Sequence, residues 1–126
     1  MICREEARLR DAFTRAVGAL PGVLVYRAEV IRGQQKQRSL PLGHPDLVFL
    51  AGGRVILIEW KSPTGRLEPE QVAFHRAWRA AGGTVLVCCD PAEACETVAA
   101  LLQEPESTAV RDAAKKLRVG VDSPSG

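Results

Sequence analysis

Three residues of this chain, Asp46, Glu59 and Lys61, have types and spacing that can do metal-assisted chemistry. The run Val55-Ile56-Leu57-Ile58-Glu59-Trp60-Lys61 reads as a strand, and side chains two apart on a strand project from one face. Glu59 and Lys61 therefore share a face with Val55 and Leu57 before them. A charged pair on an apolar strand face costs free energy unless it is paired or bound to something. Asp46 lies thirteen residues before Glu59 at the start of the preceding strand. Between them, Ala51-Gly52-Gly53-Arg54 has the chemistry of a tight hairpin, which sets the two carboxylates side by side. Two close carboxylates repel each other and favour a hard cation, and Mg²⁺ takes oxygen ligands while keeping several waters. The backbone carbonyl of Trp60 is a further candidate ligand. Lys61, facing the same space, either holds a scissile phosphate or orients and activates the attacking water. The set amounts to a phosphodiester hydrolysis site. The competing reading is a hairpin with an exposed Asp46 and a surface Glu59–Lys61 pair, since an Asp…Glu-x-Lys spacing arises often by chance. A proline before the aspartate, an apolar run on each strand and a following helix favour the site.

The elements that must position these residues follow from periodicity and punctuation. Residues 3 to 20 read as a helix, with Leu9, Ala12, Phe13, Ala16, Val17 and Leu20 at helical spacing and Pro21-Gly22 as its stop. Residues 23 to 31 have the β-branched and aromatic content of a strand. Residues 32 to 45 are polar and carry Gly33, Pro41, Gly43 and Pro45; a loop of that length in a compact domain points to function. Strands are expected from Asp46 to Leu50 and from Val55 to Lys61. A helix over 69 to 81 follows, with Val72, Phe74, Ala77, Trp78 and Ala81 as its buried positions and Gly82-Gly83 as its stop. Thr84 to Cys89 is continuously apolar, as in a strand covered on both faces. Asp90-Pro91 opens another helix with an N-cap and a proline at its first position, running to about Gln103. The order α-β-β-β-α-β-α, with a βαβ crossover, predicts a single α/β domain: a mixed central sheet flanked by helices over residues 1 to 103. Residues 104 to 126 form an extension with a short basic helix at 109 to 119 and a frayed tail.

Several matched segments in order resemble the VRR-NUC family, a branch of the PD-(D/E)XK nucleases with members in phages, bacteria and larger repair nucleases. They are Gly43-His44-Pro45-Asp46-Leu47-Val48-Phe49-Leu50, Gly53-Arg54-Val55-Ile56-Leu57-Ile58-Glu59-Trp60-Lys61 and Gly65-Arg66-Leu67-Glu68-Pro69-Glu70-Gln71, continuing to Ala81-Gly82-Gly83 and Val85-Leu86-Val87-Cys88. The likeness spans about residues 5 to 102. It implies a restriction-endonuclease-like sheet, a Mg²⁺ site (Mn²⁺ as substitute) at Asp46 and Glu59, and Lys61 as catalytic lysine. It also implies that Gln71 is a catalytic residue that reaches the site from the start of its helix and contacts the water or phosphate; the alternative for Gln71 is a capping box, although Glu68, where a serine is common, is a poor N-cap. An acid on the first helix is implied as well. Glu5 and Glu6 both qualify, and Glu6 is preferred because it lies near the centre of the apolar stripe; both also suit a first helical turn. Family members of this size resemble Holliday-junction resolvases and tend to be homodimers, so branched DNA is the implied partner. The alternative is a non-catalytic DNA-binding module, or an accessory module of a larger repair or replication assembly, on the same fold.

Composition excludes little. The chain has 126 residues, 46% hydrophobic and 25% charged, with a net charge of +2, which suits a globular domain but is too weak to prove a nucleic-acid partner. Its distribution is more informative. Arg27, Arg32, Lys36 and Arg38 cluster around a single acid, Glu29, as either a solvated loop or a set of phosphate contacts. His44 adjoins the site and is a further candidate phosphate contact, although a loop histidine beside proline is more often structural. His75 is expected on the surface of its helix, and Trp60 and Trp78 in the core or an interface. Cys3, Cys88, Cys89 and Cys95 show no metal-binding spacing and read as ordinary buried thiols of a reducing compartment. No apolar stretch approaches the ~20 residues of a membrane span and the N-terminus lacks a signal core, so a cytoplasmic protein is expected.

Overall fold

In the computed structural model, the residues described are 3 to 28 and 40 to 122, with side chains up to residue 120. Helix α1 (Arg4–Val17) is followed by strands β1 (Val23–Arg27), β2 (Leu47–Ala51) and β3 (Arg54–Trp60). Then come α2 (Pro69–Ala80), β4 (Thr84–Cys88), α3 (Pro91–Leu101) and α4 (Glu106–Asp122). The four strands form one mixed sheet in the order β1-β2-β3-β4. β1, β2 and β3 are antiparallel neighbours, and β3 pairs with β4 in parallel. The α2 segment supplies the crossover that a parallel pair requires. This is the expected α/β fold with a mixed sheet flanked by helices.

The hairpin that sets the register is short. Gly52 and Gly53 both have positive φ, 58° and 77°, the backbone of a two-residue turn whose twist matches that of the strands it joins. From that turn the ladder runs Ala51↔Arg54 to Leu47↔Ile58. One residue further along both strands, Asp46 falls opposite Glu59. Asp46 stays in the sheet through its carbonyl, which accepts the Ala28 N–H at 2.9 Å.

Strand alternation splits the core in two. One sheet face, with Leu47, Phe49, Ala51, Ile56, Ile58 and Trp60, packs against α1, α3 and α4. The other, with Val48, Leu57 and Val85, lies under Phe74 and Trp78 of α2. Phe13 anchors α1 to the first face, with ring centroids 6.2 Å from Phe49 and 5.4 Å from Trp60. Burying Phe13 stabilises the fold by about 1.5–3 kcal/mol and fixes the first turns of α1 beside the end of β3.

Several expectations need correction. On α2, Phe74 and Trp78 pack inward, but Val72, Ala77 and Ala81 are exposed and His75 is buried. The inward stripe is Gln71-Phe74-His75-Trp78, at helical spacing but with polar members that hydrophobic patterning passes over. β4 is an edge strand with Val87 46% exposed, not a strand covered on both faces. Cys3 and Cys89 are exposed, and Cys95 is the buried thiol; burial pushes the Cys88 and Cys95 thiols up to about 12, which leaves them unreactive. The expected short helix at 109 to 119 is the 17-residue α4, whose Val110, Ala113 and Ala114 are core residues against α3. Asp90 caps α3 as expected, accepting the N–H groups of Ala92 and Glu93.

The loop before β2 is seated on α2. Gly43 has φ +83°, and a Cβ there would stand 2.0 Å from the Glu70 carbonyl oxygen. His44 donates from Nδ1 to the Pro45 carbonyl at 2.6 Å and sets its ring 5.0 Å from that of Phe74. Gly43→Ala is expected to destabilise the protein by about 2–4 kcal/mol, from left-handed backbone strain plus the forced separation of loop and helix. A thermal melt should show a fall of roughly 8–15 °C.

Candidate active site

The end of the sheet where β2 begins and β3 finishes collects the ionisable groups, and each is held there by a different element. Glu59 is the last residue but one of β3 and is 5% exposed. It lies on the α2 face of the sheet, so its partners come from α2. Gln71 Nε2 donates to Glu59 Oε2 at 3.1 Å, and His75 Nε2 lies 3.4 Å from Glu59 Oε1. Gln71 and His75 are one turn apart, which puts both on the same side of the helix.

Gln71 both caps its helix and reaches Glu59. Its Oε1 accepts the Glu68 N–H at 2.8 Å, completing a capping box in which Glu68 serves as N-cap despite its poor propensity. The same amide then directs its N–H at Glu59, because capping fixes which end points inward. Gln71→Ala removes both bonds. It is expected to cost about 0.5–2 kcal/mol of stability, measured by urea denaturation in EDTA.

Asp46 approaches from β2. Both of its carboxylate oxygens are buried and neither has a hydrogen-bond donor in bonding geometry. The nearest ionic partner is Arg10 of α1, whose Nη1 is 3.6 Å from Oδ2. Burial raises the Asp46 carboxyl above the usual range, partly offset by nearby backbone N–H groups and by Arg10. Glu59 is pushed up to about 8, first by burial and then by the negative charge of Asp46; Lys61 pulls it down and Glu6 adds to the rise. The strand register brings Asp46 and Glu59 together, as expected from the hairpin. Lys61 follows on: its N–H donates to Cys88 at 3.0 Å, extending the β3–β4 pairing by one residue. Its charge acts on both Glu59 and His75, and among the described residues its ammonium makes no ion pair.

Glu6 rather than Glu5 turns inward: Glu6 is buried and Glu5 exposed, as the helical stripe implies. Its carboxylate accepts the N–H groups of Ser62 (3.1 Å) and Cys3 (3.4 Å). That ties α1 to the segment after β3 and leaves Glu6 at the rim. Among the described residues, no group of three or more His, Cys, Asp or Glu is set to hold a metal ion, so Glu6 does not join Asp46 and Glu59 in a preformed three-acid cluster. Arg27, exposed at the end of β1, pairs with Leu47 and so lies on the α1 face, away from Glu59. Arg32, Lys36 and Arg38 lie outside the described residues. His44 is placed by its contacts with Pro45 and Phe74.

Sequence reasoning missed two residues. Arg10 lies four residues after Glu6 on the same buried stripe of α1 and is only 3% exposed; an arginine among apolar positions reads as solvent-facing until its carboxylate partner is known. His75 was expected on the surface and is 2% exposed. The signal available for it was the i, i+4 spacing from Gln71 on a helix expected to approach the site.

An oxygen-seeking divalent cation fits this arrangement. The two buried Asp46 oxygens lie outside hydrogen-bond geometry with only Arg10 as an ionic partner, Glu59 bears a repulsion that a cation would relieve, and carboxylate oxygens are the ligands Mg²⁺ prefers.

No family model and no curated protein matches the sequence. Among solved structures, one described as a VRR_NUC domain superposes with a TM-score of 0.59 at 23% identity, over 76% of this chain and 96% of the other. The chain thus has the mixed α/β, restriction-endonuclease-like fold of a VRR_NUC domain.

Proposed function

We propose that the protein is a metal-dependent endonuclease that hydrolyses DNA phosphodiester bonds, with Asp46, Glu59 and Lys61 at its centre. The observation that carries this reading is the buried Asp46–Glu59 pair, with Glu59 pushed up by burial and by Asp46, on a fold it shares with a VRR_NUC domain. Asp46, Glu59 and the Trp60 carbonyl would hold Mg²⁺ or Mn²⁺, which would supply Lewis-acid polarisation of a phosphate oxygen and neutralise charge. Glu6, its oxygens bonded to backbone N–H groups, adds negative charge at the rim. Lys61 brings its ammonium to the phosphate or to the attacking water. Gln71 supports the site from α2 through Glu59.

DNA affinity rests mostly on phosphate contacts, for which Arg32, Lys36, Arg38 and His44 are the proposed set; Arg27, on the sheet face away from Glu59, would contact DNA only beyond the cleavage site. Branched DNA, including Holliday junctions, is the proposed substrate, and a two-fold homodimer would present paired sites to it. No helix of the described residues is long and apolar enough to cross a membrane.

Cleavage of labelled branched and linear DNAs with Mg²⁺, Mn²⁺ or EDTA tests the reading. Cutting is expected with either cation and not in EDTA, with branched substrates preferred. A Glu59→Ala protein that still cuts would refute the catalytic assignment.

A further inference from the structure

We infer that His75 is a positioning residue for Glu59: with Gln71 it forms a two-point clamp from one face of α2 that fixes the Glu59 carboxylate for cation binding. The inference rests on the nuclease reading of the site and adds a residue to it. Glu59 is the one acid of the pair whose two oxygens are each approached by a side chain of the same helix, Oε2 by Gln71 and Oε1 by His75. Asp46, by contrast, has neither oxygen hydrogen-bonded. At 2% exposure the His75 ring is too deeply buried to touch DNA, so it acts through Glu59.

The surroundings of the other ring nitrogen favour the same role. His75 Nδ1 is buried without a partner. With the proton on Nε2, the ring donates to Glu59 and leaves Nδ1 as a bare acceptor. With the proton on Nδ1, it would bury an N–H with nothing to accept it, and orphaned buried N–H groups are the rarer kind. The Nε2–H tautomer is therefore the one that donates to Glu59 when a cation holds that carboxylate ionised. At 3.4 Å the contact is long, as such bonds are before a site is loaded. Groups that orient a ligand in this way typically change metal affinity 10–100-fold when removed.

Three variants are compared with the wild-type protein. His75→Phe keeps the ring volume without a donor, His75→Gln restores a donor, and His75→Leu replaces the phenylalanine should that variant not fold. Folding is checked by melting temperature in EDTA, Mn²⁺ affinity by calorimetry, and kcat and KM for DNA cleavage in Mg²⁺. The expected result for His75→Phe is a 10–100-fold weaker Mn²⁺ affinity and a lower kcat that added Mg²⁺ partly restores, with KM for DNA little changed; His75→Gln recovers most of the affinity. A folded His75→Phe protein with wild-type Mn²⁺ affinity and kcat overturns the clamp while leaving the nuclease reading intact. If the wild-type protein neither binds Mn²⁺ nor cuts, the nuclease reading fails. The clamp is then judged on the ¹³C NMR signal of the Glu59 carboxyl, which moves in His75→Phe if His75 holds it; an unmoved signal overturns it.

Discussion

Replacing Glu59 with glutamine is expected to abolish cleavage and, in EDTA, to raise the melting temperature of the protein. Loss of cleavage follows, on the proposed reading, from removing one of the two carboxylates that would hold the cation, a change worth several kcal/mol in the transition state, or about 10³-fold or more in rate. The gain in stability follows from the Glu59 pKa of about 8 against an ordinary 4.5, caused first by burial and next by Asp46. Between those pH values the folded protein keeps a proton that the unfolded chain has released. Glu59 therefore costs no folding stability below about pH 4.5, and the cost grows as pH rises, levelling off above about pH 8. At ~1.4 kcal/mol per pH unit the gap amounts to ~5 kcal/mol at most; relaxation of the site reduces this to on the order of 2–4 kcal/mol. Glutamine has the shape of the neutral acid and does not ionise. The difference in melting temperature between Glu59→Gln and wild type in EDTA should be small at pH 5 and large at pH 8. A variant that melts below the wild-type protein at pH 8 would show that Glu59 is not under charge strain.

The second large effect is expected at Lys61. Lys61→Met should lower the cleavage rate about 10²–10⁴-fold while leaving cation binding in place, because Lys61 offers no ligand to a cation. The substitution also removes the positive charge that pulls Glu59 down. Glu59 then rises further, and the pH at which Mn²⁺ begins to stabilise the protein should move upward. The pairing of lost turnover with retained Mn²⁺ binding, read by calorimetry and single-turnover cleavage, separates Lys61 from Asp46 and Glu59. A Lys61→Met protein that cuts at the wild-type rate would remove the lysine from the chemistry.

The parts of this site that were legible in the sequence are those governed by local geometry. The two-residue period of β3 and the Gly52-Gly53 turn were enough to bring Asp46 opposite Glu59, and helical periodicity was enough to choose Glu6 over Glu5. What stayed hidden depends on groups distant in sequence. Arg10 is buried because Asp46 comes to it from β2, and His75 because Glu59 comes to it from β3; neither burial can be read from the helix that carries the residue. Gln71 was legible as a choice between a cap and a site role, and the structure combines them in one amide. The extent of α4 was missed because its buried face is alanine-rich, Ala113 and Ala114 beside Val110, and small residues give a weak apolar signal. The exposure of β4 was missed because an apolar run does not tell an edge strand from a central one. Arg27 illustrates the limit for charge clusters: a one-residue step along β1 decides the sheet face, and it falls on the face away from Glu59.

The most direct test of the central claim is calorimetric titration of Mn²⁺ into the wild-type protein and into the Asp46→Asn and Glu59→Gln variants, without DNA, at pH 8. Saturable binding to the wild-type protein, weakened at least tenfold by either substitution, is the expected result. Equal Mn²⁺ affinity in all three folded proteins would contradict it, because the two buried acids would then not be what holds the cation.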